Sequence, residues 1–383
     1  MLRKLFSKLT EGQHRDITNG EIAQVIGVSD ATISNFLNYK NELSLSSWLL
    51  IIRYLAPGDE DALISIIAEE TITTENRLNC RLLMEYASTK RDLDLLSKLI
   101  NSQSNAPKEN KDWAEVYNLS LEFQKRNTDN DELLNKLLTY KPKTVETRLF
   151  SQLLISRVLY RMNDFKPMVR VAKNIEKEVE QIKNPYIRES YTARLCEIFA
   201  HGYLYQRNDV KKARFYANNI INSKFLCPKF TSHMYHLLGT SFVFESYEDS
   251  IKNFQQYYDI LIKQGRTSLA NQVKELDIFF ANVLWGKNVN ETETSDSLEK
   301  LHYYARNGLK HEFCETFNNV NQDDPFALYY LGVINNDPEA HLKSVAKFIE
   351  SGNKFFAELP RKELAKHPVF NFSADVMCAM NIA

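Results

Sequence analysis

Apolar positions recur at helical spacing along almost the whole chain, and the breaks between them carry the local information. In the opening segment Ile22, Ala23 and Ile26 fall on one face, Gly27 interrupts, and Ile33, Phe36 and Leu37 form a second face. Thr18 or Asn19 stands where an N-cap oxygen accepts an orphan backbone N–H, and Ser29 stands so before the second run. The pattern predicts two short helices, the first beginning near Glu21, joined by a turn in which Gly27 permits the required backbone conformation. This is a helix-turn-helix. Trp48, Leu49, Ile52 and Leu55 then predict a supporting helix that ends at "APGDEDA", residues 56–62.

From about residue 63 onward the spacing predicts helix after helix. A short polar signature precedes an apolar run in "KRDLDLL" from 90, "NTDNDELL" from 127, "RMNDF" from 161, "QRNDV" from 206, "FESYED" from 244 and "INNDP" from 334. Neighbouring signatures are about 35 to 45 residues apart, and "SDSLEKL" from 295 fills the one longer gap. That period is the period of tetratricopeptide-like helix pairs. The expected fold is all-α: an N-terminal helix-turn-helix domain (1–56), a linker (57–62), and a superhelical array of tetratricopeptide-like helix pairs with a concave inner surface. The polar, poorly periodic stretch "WGKNVNETETSDS", 285–297, reads either as a long interhelical loop or as a connection. Taken as a connection, it divides the array into a larger subdomain (63–286) and a smaller one (287–383), where the apolar tail "VMCAMNIA" is a candidate dimerisation contact by its apolar exposure.

Composition agrees with this picture. Only 11 glycines and 10 prolines occur, so turns that need positive φ are few and helices with short connections are favoured. The net charge of −1 excludes a surface that attracts polyanions as a whole. A DNA reader would need its charge locally, and residues 1–56 hold six basic and five acidic residues, a difference of only +1. A dimer would double it. The second helix, with Ser29 at its start, leaves Asp30, Thr32, Ser34, Asn35 and Asn38 on its outer side, where small polar side chains can reach base edges. Lys40 can hold a phosphate. A helical hairpin that merely caps the array is the alternative.

The five cysteines form no CxxC pair and read as reduced core residues of a cytosolic protein. No apolar run approaches membrane-spanning length, so no membrane partner is expected. His233 and His236 lie three apart, but no Glu or Cys stands near them in sequence to complete a metal site. Gly-rich phosphate loops and GxSxG are absent. The expectation is no enzyme, no cofactor and no metal.

Five segments, "RLLMEYASTKRDLDLLSKLI" (81), "NPYIRESYTARL" (184), "KFTSHMYHLLGTSFVFESYEDSIKNF" (229), "DDPFALYYLG" (323) and "SGNKFFAELP" (351), come in an order and spacing that resembles one family. It is the phage arbitrium receptors, regulators of lysis and lysogeny among the peptide-sensing regulators of Gram-positive bacteria and their phages. The resemblance implies a homodimer in the host bacterial cytoplasm whose free form binds double-stranded operator DNA and activates transcription. It also implies that a short signalling peptide, a hexapeptide, enters the groove and switches the regulator off.

The same resemblance places peptide contacts. Lys229 takes the peptide carboxylate, with His201, Tyr205, Thr240 and Val243 lining that end. Arg81 contributes from an early repeat, and His302, Tyr303, Asp323 and Asn353 make polar contacts beside Phe355. Family members often carry Asn where this chain has His201 and Thr240, and an acid where it has Asn353. Plainer readings stand beside these: Lys229 as a solvated helix-start lysine, Arg81 paired with Glu85 one turn on, and His201 with Tyr205 as packed core. A further alternative is a peptide-regulated repeat protein that binds and inhibits another protein rather than DNA.

Overall fold

A computed structural model of the protein describes residues 2–10, 17–223, 228–287, 289–367 and 373–376, with the backbone alone at 228 and 229. Every regular element among the described residues is a helix. The N-terminal module contains α1 (Leu2–Thr10), α2 (Asn19–Ile26), α3 (Asp30–Leu37) and α4 (Leu45–Leu55). The array continues with α5 (Glu60–Thr73), α6 (Arg77–Lys90), α7 (Leu93–Ser102), α8 (Lys108–Lys125), α9 (Asn130–Thr139), α10 (Val145–Arg161), α11 (Phe165–Glu180), α12 (Pro185–His201) and α13 (Val210–Ile221). It ends with α14 (Pro228–Thr231), α15 (His233–Phe242), α16 (Tyr247–Lys263), α17 (Thr267–Gln272), α18 (Phe279–Leu284), α19 (Ser297–Asn307), α20 (Lys310–Phe317), α21 (Pro325–Asn335), α22 (Pro338–Glu350) and α23 (Glu358–Leu364). The chain forms two compact units. The first includes Met1–Leu154 and Ile175–Thr192, the second Ile155–Asn174, Ala193–Ser223 and Pro228–Ala383.

The recurring polar signature is the interhelical turn itself. Arg91, Asn163, Asn208 and Asn336 adopt left-handed backbone with φ between 51° and 57°, and each is followed by an Asp. The backbone N–H of that Asp turns back onto the preceding helix: Asp92 to Ala87 O at 2.9 Å, Asp164 to Leu159 O at 2.9 Å, Asp337 to Gly332 O at 2.9 Å. The i−5 bond satisfies a carbonyl that the helix end leaves orphaned. At three of the turns the Asp carboxylate then caps the next helix, accepting from Leu95 N and Lys212 N at 3.0 Å and from Glu339 N at 2.9 Å. Asn tolerates the left-handed region and Asp caps well, so a dipeptide stops one helix and starts another.

In the first unit two buried acids are well supplied with partners. Asp112 is fully buried and accepts from Tyr140 Oη at 2.6 Å, Lys143 N at 2.9 Å and Thr147 Oγ1 at 2.7 Å. Glu85, also fully buried, accepts from Tyr117 Oη at 2.6 Å and from the Ser190 hydroxyl. Trp113, Tyr117, Phe150 and Tyr191 stack in a column beside these acids.

The N-terminal module is fastened to the array by polar contacts. The Asn79 side chain accepts from Leu45 N at 3.0 Å and donates to Leu43 O at 3.2 Å while buried. Arg53 of α4 meets the Glu60 carboxylate with two nitrogens, at 2.8 and 3.1 Å, and Tyr86 Oη donates to the same carboxylate at 2.8 Å. Both helix-end positions are thereby specified by directional bonds in addition to apolar burial.

Candidate functional site

The N-terminal module is built around three rings. Phe6 of α1, Phe36 of α3 and Trp48 of α4 meet edge-to-face with centroids 5.6, 5.8 and 6.3 Å apart, and all three are buried. Thr18 and Glu21 form a reciprocal capping box on α2, and Gly27 ends it at φ 70°. Ser29 stands at the N-cap of α3 as expected, yet its hydroxyl makes no capping bond; it lies 3.1 Å from Thr32 Oγ1 instead. Two β-hydroxyls three residues apart satisfy one another, and the Thr32 N–H donates to the Ser29 carbonyl at 2.8 Å instead. Ser29, Asp30, Ser34, Asn38 and Lys40 are exposed, and Thr32 and Asn35 half-buried.

Charge on this module is scarcer than the count of basic residues implies. Arg3 is folded inward: Nε donates to Phe36 O at 2.8 Å, Nη2 reaches Glu42 at 2.8 Å, and the guanidinium lies 4.2 Å from the Tyr39 ring. Arg53 is committed to Glu60. Among the described basic residues of the module, Lys4, Lys8 and Lys40 are exposed and outside any ion pair.

The second unit contains a cavity of about 240 Å³. Thr240 and Val243 line it from α15 and its end, Phe254 from α16, Phe280 from α18, and Phe326 and Phe356 close the apolar side. Leu276 and Asp277 reach it from the π-helical segment Val273–Ile278, and Asp296, Leu298 and Glu299 from the start of α19. A π-helical turn holds one extra residue, which rotates the side chains after it relative to a regular helix. Asp296 is itself a cap, accepting from Leu298 N and Glu299 N.

The cavity's acids are unequal. Asp277 faces His236 Nε2 at 3.0 Å. Burial opposes a charge on His236, but the charge of Asp277 and the bond to it outweigh burial and raise its pKa. Glu299 Oε2 has no hydrogen-bond partner, and burial, with Asp296 and Asp277 adding like charge, pushes its carboxyl well above the usual range. His302 lies behind it, Nδ1 3.8 Å from Glu299 Oε2, fully buried between Tyr330 (4.8 Å) and Phe280 (4.9 Å). Burial, then the charge of Arg306, holds His302 well below its ordinary pKa. A neutral acid at the edge of an aromatic cavity, flanked by two further acids, is an environment a cation would satisfy.

Of the residues placed by resemblance, Thr240 and Val243 line this cavity, and Phe355 is buried beside Phe356, stacked on Phe244 at 4.8 Å. His302 lies behind Glu299 without a hydrogen bond to it. Tyr303 is half-buried, edge-on to Tyr304. Asp323 is exposed in the turn before α21, and Asn353 Oδ1 accepts from Phe356 N at 3.2 Å. His201 and Tyr205 are buried with near-parallel rings 6.0 Å apart, Tyr205 lying in the π-helical segment Gly202–Gln206. The Lys229 side chain lies outside the described residues, as do Arg15, most of the apolar tail, Cys227 and Cys378. Arg81 belongs to the first unit and does not pair with Glu85; it grips Asn110 Oδ1 at 2.9 and 2.7 Å and pairs with Glu109. The spacing of residues carries no sign of Asp277, since a π-helical turn shifts register without a sequence marker, or of Glu299, which meets the cavity only through tertiary packing.

A family model described as "AimR transcriptional regulator-like" matches residues 65–366, most of the chain. The chain belongs to the AimR-like family of transcriptional regulators. This is the arbitrium-receptor family that the five segments resemble, and a regulator family rather than an enzyme family. The AimR transcriptional regulator of Bacillus phage phi3T is 23% identical over 335 residues, covering 84% of this chain and 86% of the relative. An uncharacterized protein of Bacillus anthracis is 24% identical over 246 residues, 61% of this chain and 90% of its own length. Two solved structures share the fold. SeMet-phAimR matches with a TM-score of 0.68 at 21% identity, over 99% of this chain and 100% of its own. The phAimR-Ligand structure gives 0.70 at 22% identity, over 85% and 98%. The all-α fold read from apolar spacing is therefore the fold of this AimR-like chain. Among the described residues no helix is long and apolar enough to cross a membrane.

Proposed function

We propose that this AimR-like protein is a DNA-binding transcriptional regulator of a phage lysis–lysogeny decision, active as a homodimer without ligand and switched off when a short peptide enters the second unit. The observation that carries the peptide reading is the cavity edged by Asp277, Asp296 and Glu299. At about 240 Å³ it is smaller than the roughly 300–1,000 Å³ of a complete small-molecule site, so it holds one part of a peptide. The acids suit a peptide ammonium or a basic side chain, and Phe254, Phe280, Phe326 and Phe356 suit the apolar stem that carries it. The solved phAimR-Ligand relative supports a ligand-controlled regulator.

The DNA reading rests on α3 and its polar outer face, exposed at Ser29, Asp30, Ser34 and Asn38 and half-buried at Thr32 and Asn35, with Lys40 for phosphate. With Arg3 and Arg53 committed internally, one module binds weakly and two modules in a dimer are needed. The test is paired. Fluorescence anisotropy with operator-region DNA from the protein's own genome measures binding, and calorimetry with hexapeptides drawn from short reading frames beside the gene measures the ligand. Salt-sensitive, sequence-preferring DNA binding that one hexapeptide weakens is the expected result. Equal affinity for all DNA segments, with no hexapeptide changing it, would refute the proposal.

A further inference from the structure

Helices α12 and α15 gather three ligating side chains, of which only His201 is among the peptide contacts the resemblance implies. Glu197 and His201 are four apart on α12, which puts both on one face. His233 opens α15 beside them. A carboxylate oxygen of Glu197 and one nitrogen from each histidine lie within 4.8 Å of one another. Glu197 and His201 are buried and His233 is largely so.

The polar atoms here are orphaned, unlike those around Asp112 in the first unit. Glu197 Oε2, His201 Nδ1 and both ring nitrogens of His233 are buried without a hydrogen-bond partner. Glu197 Oε1 stands 2.9 Å from His233 Nε2, but without the alignment of a hydrogen bond. Several unsatisfied buried lone pairs at one place are costly unless something fills the space between them. The His201 and His233 rings are nearly parallel, 6.4 Å apart, and Tyr160 (4.3 Å from His201) and Phe230 (5.7 Å from His233) wall them in. Burial first, with His233, His236 and Arg157 adding to it against the charge of Glu197, pushes His201 down to about 3.

We propose that Glu197, His201 and His233 bind a divalent transition cation of the zinc type. Two imidazoles and a carboxylate suit zinc or cobalt, whereas magnesium and calcium take oxygen donors. Three protein ligands leave a coordination position open, as in zinc sites that exchange a water for another group. Arg157 Nη2, 3.4 Å from Glu197 Oε1, opposes the cation and weakens its binding, but Glu197 Oε2 remains to ligate. His236 is not a fourth ligand, because its Nε2 is held by Asp277. A cation here ties α12 to α15 through all three side chains, where the structure has the single 2.9 Å contact of Glu197 Oε1 with His233 Nε2.

The test uses the full-length chain stripped by chelator and dialysed. Zinc is titrated by calorimetry with melting followed in parallel, and cobalt is added as a spectroscopic probe. One zinc per chain, a raised melting temperature and tetrahedral cobalt absorption bands are expected. His201→Gln and His233→Gln should each weaken zinc by more than the roughly 10–100-fold typical of outer-shell changes. His311→Gln, at a ring with 81% exposure, should bind as the parent does. No saturable binding by the parent, or equal affinity in the His201 and His233 variants, would overturn the site as adventitious surface binding. If a variant fails to fold, the parent's cobalt spectrum decides: bands of the aquo ion alone reject the proposal.

Discussion

Gly239→Ala adds one methyl group where the chain has no room for it. A Cβ at Gly239 would lie 2.5, 2.7 and 2.9 Å from Cδ1, Cε1 and Cγ of Phe254. Turning the ring moves Cδ1 and Cε1, but Cγ lies on the axis of that rotation and stays 2.9 Å from the added Cβ. Phe254 is 2% exposed, so it can yield only by moving as a body, and it forms one wall of the candidate cavity. Two effects compete. Replacing glycine in a helix interior stabilises by about 0.8–1 kcal/mol. Overpacking a dense core costs about 1–3 kcal/mol. Overpacking wins because the blocked atoms belong to a rigid ring, and a net loss of about 1 kcal/mol is expected. If the ring shifts into the cavity by roughly one methylene, a bound peptide side chain loses about 0.8 kcal/mol of burial, about a fourfold rise in Kd. Urea unfolding followed by circular dichroism reads the first quantity, and peptide calorimetry the second. Gly58→Ala is the control, since a Cβ there meets nothing within 4 Å. A Gly239→Ala protein more stable than the parent, with unchanged peptide affinity, would show that Phe254 does not stand against this glycine.

Three further outcomes follow from the same geometry. Asn35→Ala with Lys40→Ala should lower operator affinity and reduce the slope of log affinity against log salt by about 1, the share of one phosphate contact; equal binding and slope would remove α3 from the interface. Glu299 has a raised pKa in the folded chain, so folding favours its protonated form, and that contribution is present at low pH and lost as pH rises from the ordinary carboxyl range toward the folded value. Glu299→Gln should therefore gain on the parent by up to about 1.4 kcal/mol per pH unit across that interval, read from urea midpoints at several pH values; a pH-independent difference would show that Glu299 is not desolvated. Arg81→Ala leaves the buried Asn110 Oδ1 without its guanidinium partner and should cost about 1–3 kcal/mol of stability; an unchanged urea midpoint would assign Arg81 a role outside the core.

The helical turns were legible because their chemistry is local. In "RMNDF", "QRNDV" and "INNDP" the residue that enters the left-handed region and the Asp that follows it are adjacent in sequence. The α2 cap was legible for the same reason, Thr18 and Glu21 being three apart. The α3 cap shows the limit of such reasoning: Ser29 has the right type and place, but Thr32 offers its hydroxyl a nearer partner. A propensity names the candidates for a bond, and neighbouring side chains decide which bond forms.

The sites were less legible, because their residues meet only through tertiary packing. His233 and His236 look like a pair in sequence, yet the helix sends them to different partners, Glu197 from α12 and Asp277 from a π-helical turn. Regular 3.6-residue periodicity misplaces Asp277, since the extra residue in Val273–Ile278 changes the face it occupies. Among the buried acids and histidines singled out here the difference is satisfaction rather than burial, although Trp48 Nε1, Trp113 Nε1 and Gln124 Oε1 of the first unit also lack a hydrogen-bond partner. Asp112, Glu85 and Asn110 are as buried as any groups in the chain, and their oxygens receive donors from neighbouring helices. Glu197, Glu299, His201 and His302 are comparably enclosed, yet each keeps an atom without a hydrogen bond. A core under selection for stability alone pairs such atoms or replaces them with apolar ones. Their retention in the second unit is the physical reason to place ligand chemistry there and to leave the polar groups of the first unit to hold the helices and the N-terminal module in place.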